Sequence, residues 1–475
     1  MAEVIKLNNQ DYIFEGFVFT GDQNTGEFQK EITPLSYQNI GSIEINDTLF
    51  NFDYSGNIIF KNQYNILENL VNFKANNRAG MFIRLSPSEV SSISTQTPTG
   101  IKALDISFWS IFNNTTSINS EKSNSTVNLI DFISPTDASL RETKASALNN
   151  GDIPSPFQIK GDINLGEYIK EILTIISGKP ANLKLYKDGE LTDDINGDQT
   201  LVYQVPLHYN LNDLLTLLLK LYIVQYNGIY TQCVLLHDQK SDTYILVPFT
   251  AMLENIPPRE NNETFIIGSQ GNDQPSSSPT VVAAKRNQQN VISGYSFSDV
   301  VFNVSNSHFT DICIVSDELT SNVNSIVYLK IKDVISKINQ NIIGSLTEKG
   351  YSNPSINIDL DDTKSGTEAK NFKVVSFPYQ NINHTATAEA ILVGDIIFNN
   401  MELMFTTNGA PYRRSGVFIN IERDQLRDSD VSQQYKNIDS KVLGQWLVVE
   451  VVHKFIEDKY INVIKCVKPF RGSIN

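Results

Sequence analysis

The stretch from Arg413 to Arg471 constrains the fold more than any other, because every local signal in it points to the same structure. In RRSGVFINIERD, Val417, Ile419 and Ile421 alternate with Phe418, Asn420 and Glu422, the period of two of a half-buried strand. After a polar break, LGQWLVVEVVHKFIEDKYINVIKCVKPFR alternates again. Leu447, Val449, Val451 and Phe455 are expected on one face, with Glu450 and Lys454 on a wetter one. The polar Glu457-Asp458-Lys459 break and the run Tyr460 to Val467 then complete an antiparallel hairpin. Upstream, Met404 to Thr407 leads into Asn408-Gly409, a dipeptide that tolerates positive φ and is expected to turn tightly. These signals predict a closed, twisted, all-β end to the chain.

The rest of the chain divides by composition. Residues 1–112 hold short strand patterns separated by Gly, Asn and Asp, broken by a helical repeat at Asn62 to Val71 through Tyr64, Ile66, Leu67 and Leu70. Residues 113–158 are rich in Ser, Thr, Asn and Pro, with too few apolar side chains to offset ordering, and are expected to form an extended arm or linker. Residues 159–265 read as an α+β unit. Its first helix has Asn164 as N-cap, Ile169, Ile172, Leu173 and Ile176 at helical spacing, and Gly178 as its stop; a second, apolar almost all round, is expected over Leu211 to Gln225. Asp188-Gly189 marks a hairpin turn. Residues 266–292 contain a Gln, Ser, Pro and Asn tract with linker composition, and 293–475 form a second β unit with helices over Val334 to Ile343 and Ala386 to Met401. The predicted class is mainly β, α+β, with two β units flanking a middle α+β unit. No repeat of residues relates the two β units, so any duplication is one of structure.

Chemistry is hard to find. The five histidines, His208, His237, His308, His384 and His453, are far apart and lack metal-ligand spacing. Asp359, Asp361 and Asp362 lack the glycine of a calcium loop, and Asp193, Asp194, Asn196 and Asp198 lack its terminal glutamate. No nucleophile-elbow or phosphate-loop motif is present. The expectation is a chain with no enzymatic activity, no metal and no cofactor. Against 53 acidic residues stand 38 Lys and Arg, a formal charge of -15, which disfavours a stable grip on nucleic acid. Cys233, Cys313 and Cys466 are dispersed in apolar runs and expected as buried thiols. The start MAEVIKLNNQ has no secretory pattern, and the longest apolar run, Leu214 to Val224, is broken by Lys220, so a soluble chain without membrane insertion is expected.

The order of the C-terminal motifs resembles the tube-like domain of baseplate hub proteins, the tail-tube initiators of contractile-tailed phages and related injection machines. The matching positions are Arg414, Gly416, Phe418, Ile419 and Ile421, then Leu443, Gly444, Trp446, Leu447, Val448, Val451, His453 and Phe455, then Tyr460, Asn462 and Ile464. The N-terminal DYSGNIIFKNQYNILENL is similar to the strand and helix of a second such domain. The resemblance implies two tube-like β-barrel domains per chain, a homotrimer, and a virion component assembled in the host cytoplasm. It further implies a structural ring joining the tail tube protein to the central spike protein among other baseplate proteins, through which DNA passes without specific binding. Residues 113–290 would then sit outside the ring. The basic cluster Arg413, Arg414, Lys468 and Arg471 is expected at a contact with partner proteins. A carbohydrate-binding adhesin or receptor-binding tail protein is the alternative reading, and a cell-wall hydrolase a third.

Overall fold

The C-terminal hairpin runs through the middle of a ten-stranded sheet in the computed structural model. The structure describes residues 2–8, 10–22, 28–51, 54–63, 77–87, 104–108, 110–118, 125–149, 158–159, 164–197, 203–238, 241–254, 263–267, 291–299, 312–317, 327–342, 351–355, 372–377, 383–398, 401–423, 442–468 and 471–474. Eight strands of the sheet follow in the order Ile292–Asp299, Met401–Asn408, Lys459–Lys468, Gly444–Ile456, Ile40–Thr48, Ser55–Gln63, Ser125–Ile133 and Ser110–Ile118, each antiparallel to the next. The two predicted β units therefore share one sheet, joined where Gly444–Ile456 pairs with Ile40–Thr48.

The strand Gly444–Ile456 changes partner halfway. Its first residues pair with Phe418–Arg423, from Phe418↔Leu447 to Ile421↔Gly444, and its last seven pair with Ile40–Thr48, from Glu450↔Thr48 to Ile456↔Ser42. On its other edge, Val448↔Cys466 is followed by Glu450↔Lys465, so Val449 is an extra residue, a β-bulge. The bulge shifts the side-chain phase. Trp446 and Val448 share an apolar core with Val451, while Leu447 and Val449 face a different core and Phe455 enters a third. The expected single face of Leu447, Val449, Val451 and Phe455 is thus split, because an uninterrupted period of two does not survive an inserted residue.

Around the first half of the hairpin the chain closes a small barrel. Phe418–Arg423 runs parallel to Glu263–Ile267, which meets Ile292–Asp299 through a parallel bridge between Ile266 and Val291. Its interior holds Phe265, Leu403, Phe405, Ile419, Ile421, Ile464 and the fully buried Trp446. Around the hairpin tip, the four strands from Ile40–Thr48 to Ser110–Ile118 pack on an N-terminal sheet of Ala2–Leu7, Gln10–Asp22, Phe28–Pro34, Asn77–Pro87 and Leu104–Phe108; these two sheets around one core are the first barrel, an open one that no ladder closes among the described residues. That core contains Phe14, Ile43, Ile45, Phe60 and Phe132, together with Phe455 and Tyr460 from the hairpin itself.

The two quartets of the large sheet have the same order. Ile40–Thr48, Ser55–Gln63, Ser125–Ile133 and Ser110–Ile118 lie first, second, fourth, third by chain position, as do Ile292–Asp299, Met401–Asn408, Lys459–Lys468 and Gly444–Ile456. Their irregularities match. The first strand of each shifts register at its second residue, between Ile40 and Ser42 and between Ile292 and Gly294. The third shifts between Ile111 and Asn113 and between Val448 and Glu450. This is the duplication of structure that no residue repeat revealed.

The predicted arm over 113–158 is instead ordered in its described parts. Ser110–Ile118 and Ser125–Ile133 form a hairpin and Pro135–Glu142 a helix capped by Ser134. Its polar composition belongs to strands with one inward face, Ile130 and Phe132 being buried while Leu129 is exposed. The middle unit is a five-stranded sheet in the order Glu190–Thr192, Leu183–Lys187, Thr243–Pro248, Ile229–Asp238, Ile223–Tyr226. Helices Leu165–Ser177 and Leu211–Leu221 cover one face; the first is capped by Asn164 and ends at Gly178 with φ 66°, as its sequence predicts. The second stops at Leu221 rather than Gln225, because Asn227 and Gly228, both at positive φ, turn Ile223–Tyr226 back as a hairpin strand. Helix His384–Phe398 covers the other face and also meets Leu447 and Val467 of the large sheet, which explains its burial on nearly every side. It lies over Ile312–Asp317 and Val327–Lys330 as well, with helix Ile331–Asn341 beside it. Within the polar stretch 345–370, Tyr351–Ser355 pairs with Arg471–Ile474. Asn62 and Gln63 of the expected helix at Asn62 to Val71 end a strand, and the rest of that helix and most of the linker at 266–292 lie outside the described residues.

Phe455 is 3 % exposed and stacks on Tyr460 at 4.2 Å, whereas its neighbour Ile456 is 36 % exposed. Phe455→Ala is expected to cost about 3–5 kcal/mol in denaturant unfolding and Ile456→Ala less than about 1 kcal/mol. Equal losses would mean that the register after the bulge is wrong.

Candidate functional site: a buried polar seam between the barrels

Between Val451 in one barrel core and Phe455 in the other, the hairpin carries His453 opposite Asn462, both 0 % exposed. Each continues the inward alternation of its strand, so polar side chains lie where the pattern demands apolar ones. The loop between Asn408 and Phe418 folds over this point and supplies their partners. Arg413, 2 % exposed, grips Glu263 with two prongs, Nη2 to Oε1 at 2.7 Å and Nε to Oε2 at 3.0 Å. Its Nη1 donates to Asn462 Oδ1 at 2.9 Å and to the carbonyl of Asn408, and the guanidinium lies over the Phe265 ring. Tyr412 donates its hydroxyl to Glu263 Oε1 at 3.0 Å. Burial opposes the charge on Arg413, but the adjacent Glu263 carboxylate more than offsets it and holds the pKa above its ordinary value.

The histidine tautomer follows from its partners. The Arg413 carbonyl, 3.1 Å from Nε2, can only accept, so Nε2 carries the hydrogen and Nδ1 is an acceptor. Nδ1 meets the Tyr460 hydroxyl at 2.8 Å and Asn462 Nδ2 at 3.0 Å. The Asn462 amide is itself fixed, since Oδ1 accepts from Ala410 N at 2.7 Å as well as from Arg413. Burial pushes the His453 pKa down to about 4; nearby Asp47 pulls it upward, and the Arg414 guanidinium lowers it further. His453 is therefore neutral at pH 7.

Contacts radiate from this centre into the first barrel. Asp47 accepts from Ser415 Oγ at 2.9 Å and from its N–H at 3.2 Å. Arg414 Nε lies 3.1 Å from Asp47 Oδ2, close enough for an ion pair although its N–H is not aimed at an acceptor, and the guanidinium stacks on Tyr54. The Asn8 amide donates to the Tyr460 carbonyl, Asn8 N donates to Asp458 O at 3.0 Å, and Tyr37 donates to Glu457 O at 2.9 Å. Gly409 is required for close approach, not for a turn: a Cβ there would sit 2.3 Å from the Tyr460 ring, and the tight turn expected at Asn408-Gly409 is replaced by the loop.

The basic cluster is not gathered into an outward patch. Arg413 and Arg414 are paired within the chain. Lys468, 4 % exposed, donates to Leu443 O at 2.7 Å beside the Trp446 ring, and burial lowers its pKa to about 8. Arg471 opens the strand paired with Tyr351–Ser355. Facing a partner would need Arg413 and Lys468 to leave these sites, and a buried charge separated from its partner costs several kcal/mol. Sequence reasoning missed Glu263 and Asp47, and singled out Tyr460 and Asn462 only as positions of the resemblance, without a role in a site. Asn462 and Asp47 had a signal, a polar residue at an inward position of an apolar alternation; Glu263 had none, lying 150 residues from Arg413.

No acid–base or nucleophilic chemistry follows from this arrangement, because both His453 nitrogens and the Arg413–Glu263 pair are already engaged. Among the described residues no three His, Cys, Asp or Glu side chains are grouped to hold a metal, and no helix is long and apolar enough to cross a membrane. His237 stacks on Tyr244 near Asp242, and Asp193 pairs with Lys184; His308 and Asp359, Asp361 and Asp362 lie outside the described residues. What the seam does is mechanical: it ties the hairpin, the loop at 409–417 and the first barrel into one body.

The depressed pKa of His453 has a defined consequence. The unfolded chain takes up this proton near pH 6.5 and the folded chain only near pH 4, so stability falls as pH drops through that window, by about 3 kcal/mol at its end. Thermal melts from pH 7 to pH 4 are expected to show a smaller loss for His453→Gln than for the wild type. Parallel pH dependence of the two would show that this histidine is not held neutral.

Searches of protein-family models and of curated sequences give no match to this chain. Among solved structures it is similar to the 43 kDa tail protein of prophage MuSo2 from Shewanella oneidensis, with 9 % identity over 96 % of this chain and 98 % of that one and a TM-score of 0.47. It is also similar to a tail protein from Neisseria meningitidis MC58, with 8 % identity over 95 % and 96 % of the two chains and a TM-score of 0.48. A chain of the half-lidded Francisella PdpA-VgrG complex aligns with 10 % identity over 96 % of this chain and 58 % of that one, with a TM-score of 0.45. The chain is thus similar in structure to phage tail proteins and to a protein of the PdpA-VgrG complex.

Proposed function

We propose that this chain is a non-enzymatic, ring-forming hub of a phage tail baseplate, which joins the tail tube above to the central spike below. The observation that carries the reading is the pair of equivalent four-stranded sheets fused edge to edge in one chain, with bulges at matching places. A chain with two equivalent sheets adapts a threefold assembly to a sixfold one, because three copies present six such sheets. The resemblance of the C-terminal motifs to hub proteins supports the same assignment. So does the seam, which spends its polar groups on holding two barrels together and leaves none poised for catalysis.

The partners in this reading are two further copies of the chain, the tail tube protein, the central spike protein and other baseplate proteins. DNA passes through the ring without being held. A lumen lined by Lys and Arg would neutralise phosphates, release counterions and grip the polymer, so an acidic or neutral wall is required. With -15 per chain, three chains carry about -45, enough excess to supply such a wall.

Particle imaging of the purified chain tests the reading. A closed ring of three copies with a central hole is expected, alone or on addition of isolated tail tubes. A chain that remains monomeric by light scattering under both conditions would contradict it, as would a ring whose channel wall is dominated by Lys and Arg.

A further inference from the structure

The turn that follows Ile40–Thr48 stands between the polar seam and the middle unit. Asn51 N donates to the Thr48 carbonyl at 3.3 Å and closes it. Inside the turn, Leu49 N donates to the Val449 carbonyl at the bulge at 2.8 Å, and the buried Leu49 side chain enters the core that helix His384–Phe398 shares with the middle sheet. Phe50 meets the Phe398 ring edge to face at 4.9 Å and the Phe249 ring at 6.5 Å, and those two rings meet each other at 5.0 Å. Each ring comes from a different part of the molecule: Phe50 from the first barrel, Phe249 from the end of the middle sheet, Phe398 from the end of the long buried helix. Phe50 is nevertheless 60 % exposed, so it acts through these ring contacts more than through burial. On the other side of Thr48, the buried Asp47 is the residue by which the first barrel holds the loop at 409–417, through Ser415 Oγ, Ser415 N and the Arg414 guanidinium.

We propose that the turn Thr48 to Asn51 is a relay, which makes the hold of Asp47 on the seam depend on the position of the middle unit. Asp47 and Leu49 lie two residues apart on the inward side of one extended segment, so a displacement of one is passed to the other. With the middle unit and helix seated on Leu49 and Phe50, Asp47 is pressed against the loop. Withdrawal of the turn draws Asp47 off Ser415 and Arg414, two groups largely shut away from water, which gives the movement a cost and the seated position its preference. The effect reaches the centre of the seam, because the carbonyl that fixes His453 belongs to Arg413 in the same loop. A partner on the middle unit would shift the joint between the barrels by as much as it favours one position of the turn, and loosening the seam would in turn loosen the seat of the middle unit. The relay goes beyond the hub reading and operates in the isolated chain.

Amide hydrogen exchange in the full-length chain tests both directions. Phe50→Ala removes an exposed ring and touches no group of the seam; Leu191→Ala, at an exposed position of the edge strand Glu190–Thr192, is the control. The seam is read at Ser415 N and Gly416 N, which donate to Asp47 and to the Val448 carbonyl, and the seat of the middle unit at Met252 N and Leu253 N, which donate to the carbonyls of Phe249 and Thr250. Phe50→Ala is expected to speed exchange at Ser415 and Gly416 about fivefold or more beyond any loss of global stability measured by denaturant unfolding, and Asp47→Asn to do the same at Met252 and Leu253. Leu191→Ala is expected to leave all four at the wild-type rate. Wild-type exchange at Ser415 and Gly416 in Phe50→Ala overturns the relay, whatever happens at Met252 and Leu253. So does acceleration of all amides by one common factor, which is a loss of global stability alone.

Discussion

One strand with three partners determines this architecture. Gly444–Ile456 pairs along one edge with Lys459–Lys468, and along the other first with Phe418–Arg423 and then with Ile40–Thr48. The extra residue at Val449 makes the handover possible: Gly416 N and Leu49 N donate to the carbonyls of Val448 and Val449 at 2.8 Å each, so the ladder passes from one partner to the next without stranding a buried carbonyl. Without the bulge, the even-numbered side chains that face the C-terminal core would continue in phase. His453 and Phe455 would then point away from both the loop and the first barrel.

The polar seam reinforces that phase. An apolar hairpin in an apolar sleeve can exchange one register for another at modest cost, but a slip here would leave Arg413, Glu263 and Asn462 buried without partners. A buried ion pair adds little net stability compared with well-packed apolar side chains. Its effect in this position is on uniqueness, since one arrangement satisfies all of these groups together. The same economy accounts for the electrostatics. A neutral His453 can sit close to two guanidinium groups, whereas a charged one could not, and Asp47 and Glu263 each neutralise one arginine.

Much of the fold was legible in the sequence, and the misses share a cause. Local patterns located the hairpin, the helix from Leu165 to Ser177 with its Asn164 cap and Gly178 stop, and the Asp188-Gly189 turn, because capping and turn chemistry depend on neighbours in the chain. Composition misled at 113–158, where a strand hairpin with one inward face resembles an arm. The phase change at Val449 was invisible, as alternation continues on both sides of it. Of the site, His453 and Asn462 could be found as polar residues at inward positions. Arg413 was conspicuous as part of a basic doublet but misread as outward-facing, because its carboxylate partner lies on a strand remote in sequence. The likeness of the two quartets was implied by the resemblance but carried by no residue repeat: it resides in strand order and bulge position, which many sequences can satisfy.

The central claim is that the two barrels form one body because a single strand belongs to both. Native-state hydrogen exchange at the amides of residues 42–48 and 444–456 measures this directly. The account predicts that both segments open only with the global transition, with one free energy and one denaturant dependence. Exchange at residues 42–48 through a much cheaper opening, while residues 444–448 remain protected, would contradict it and make the N-terminal barrel a separately hinged unit.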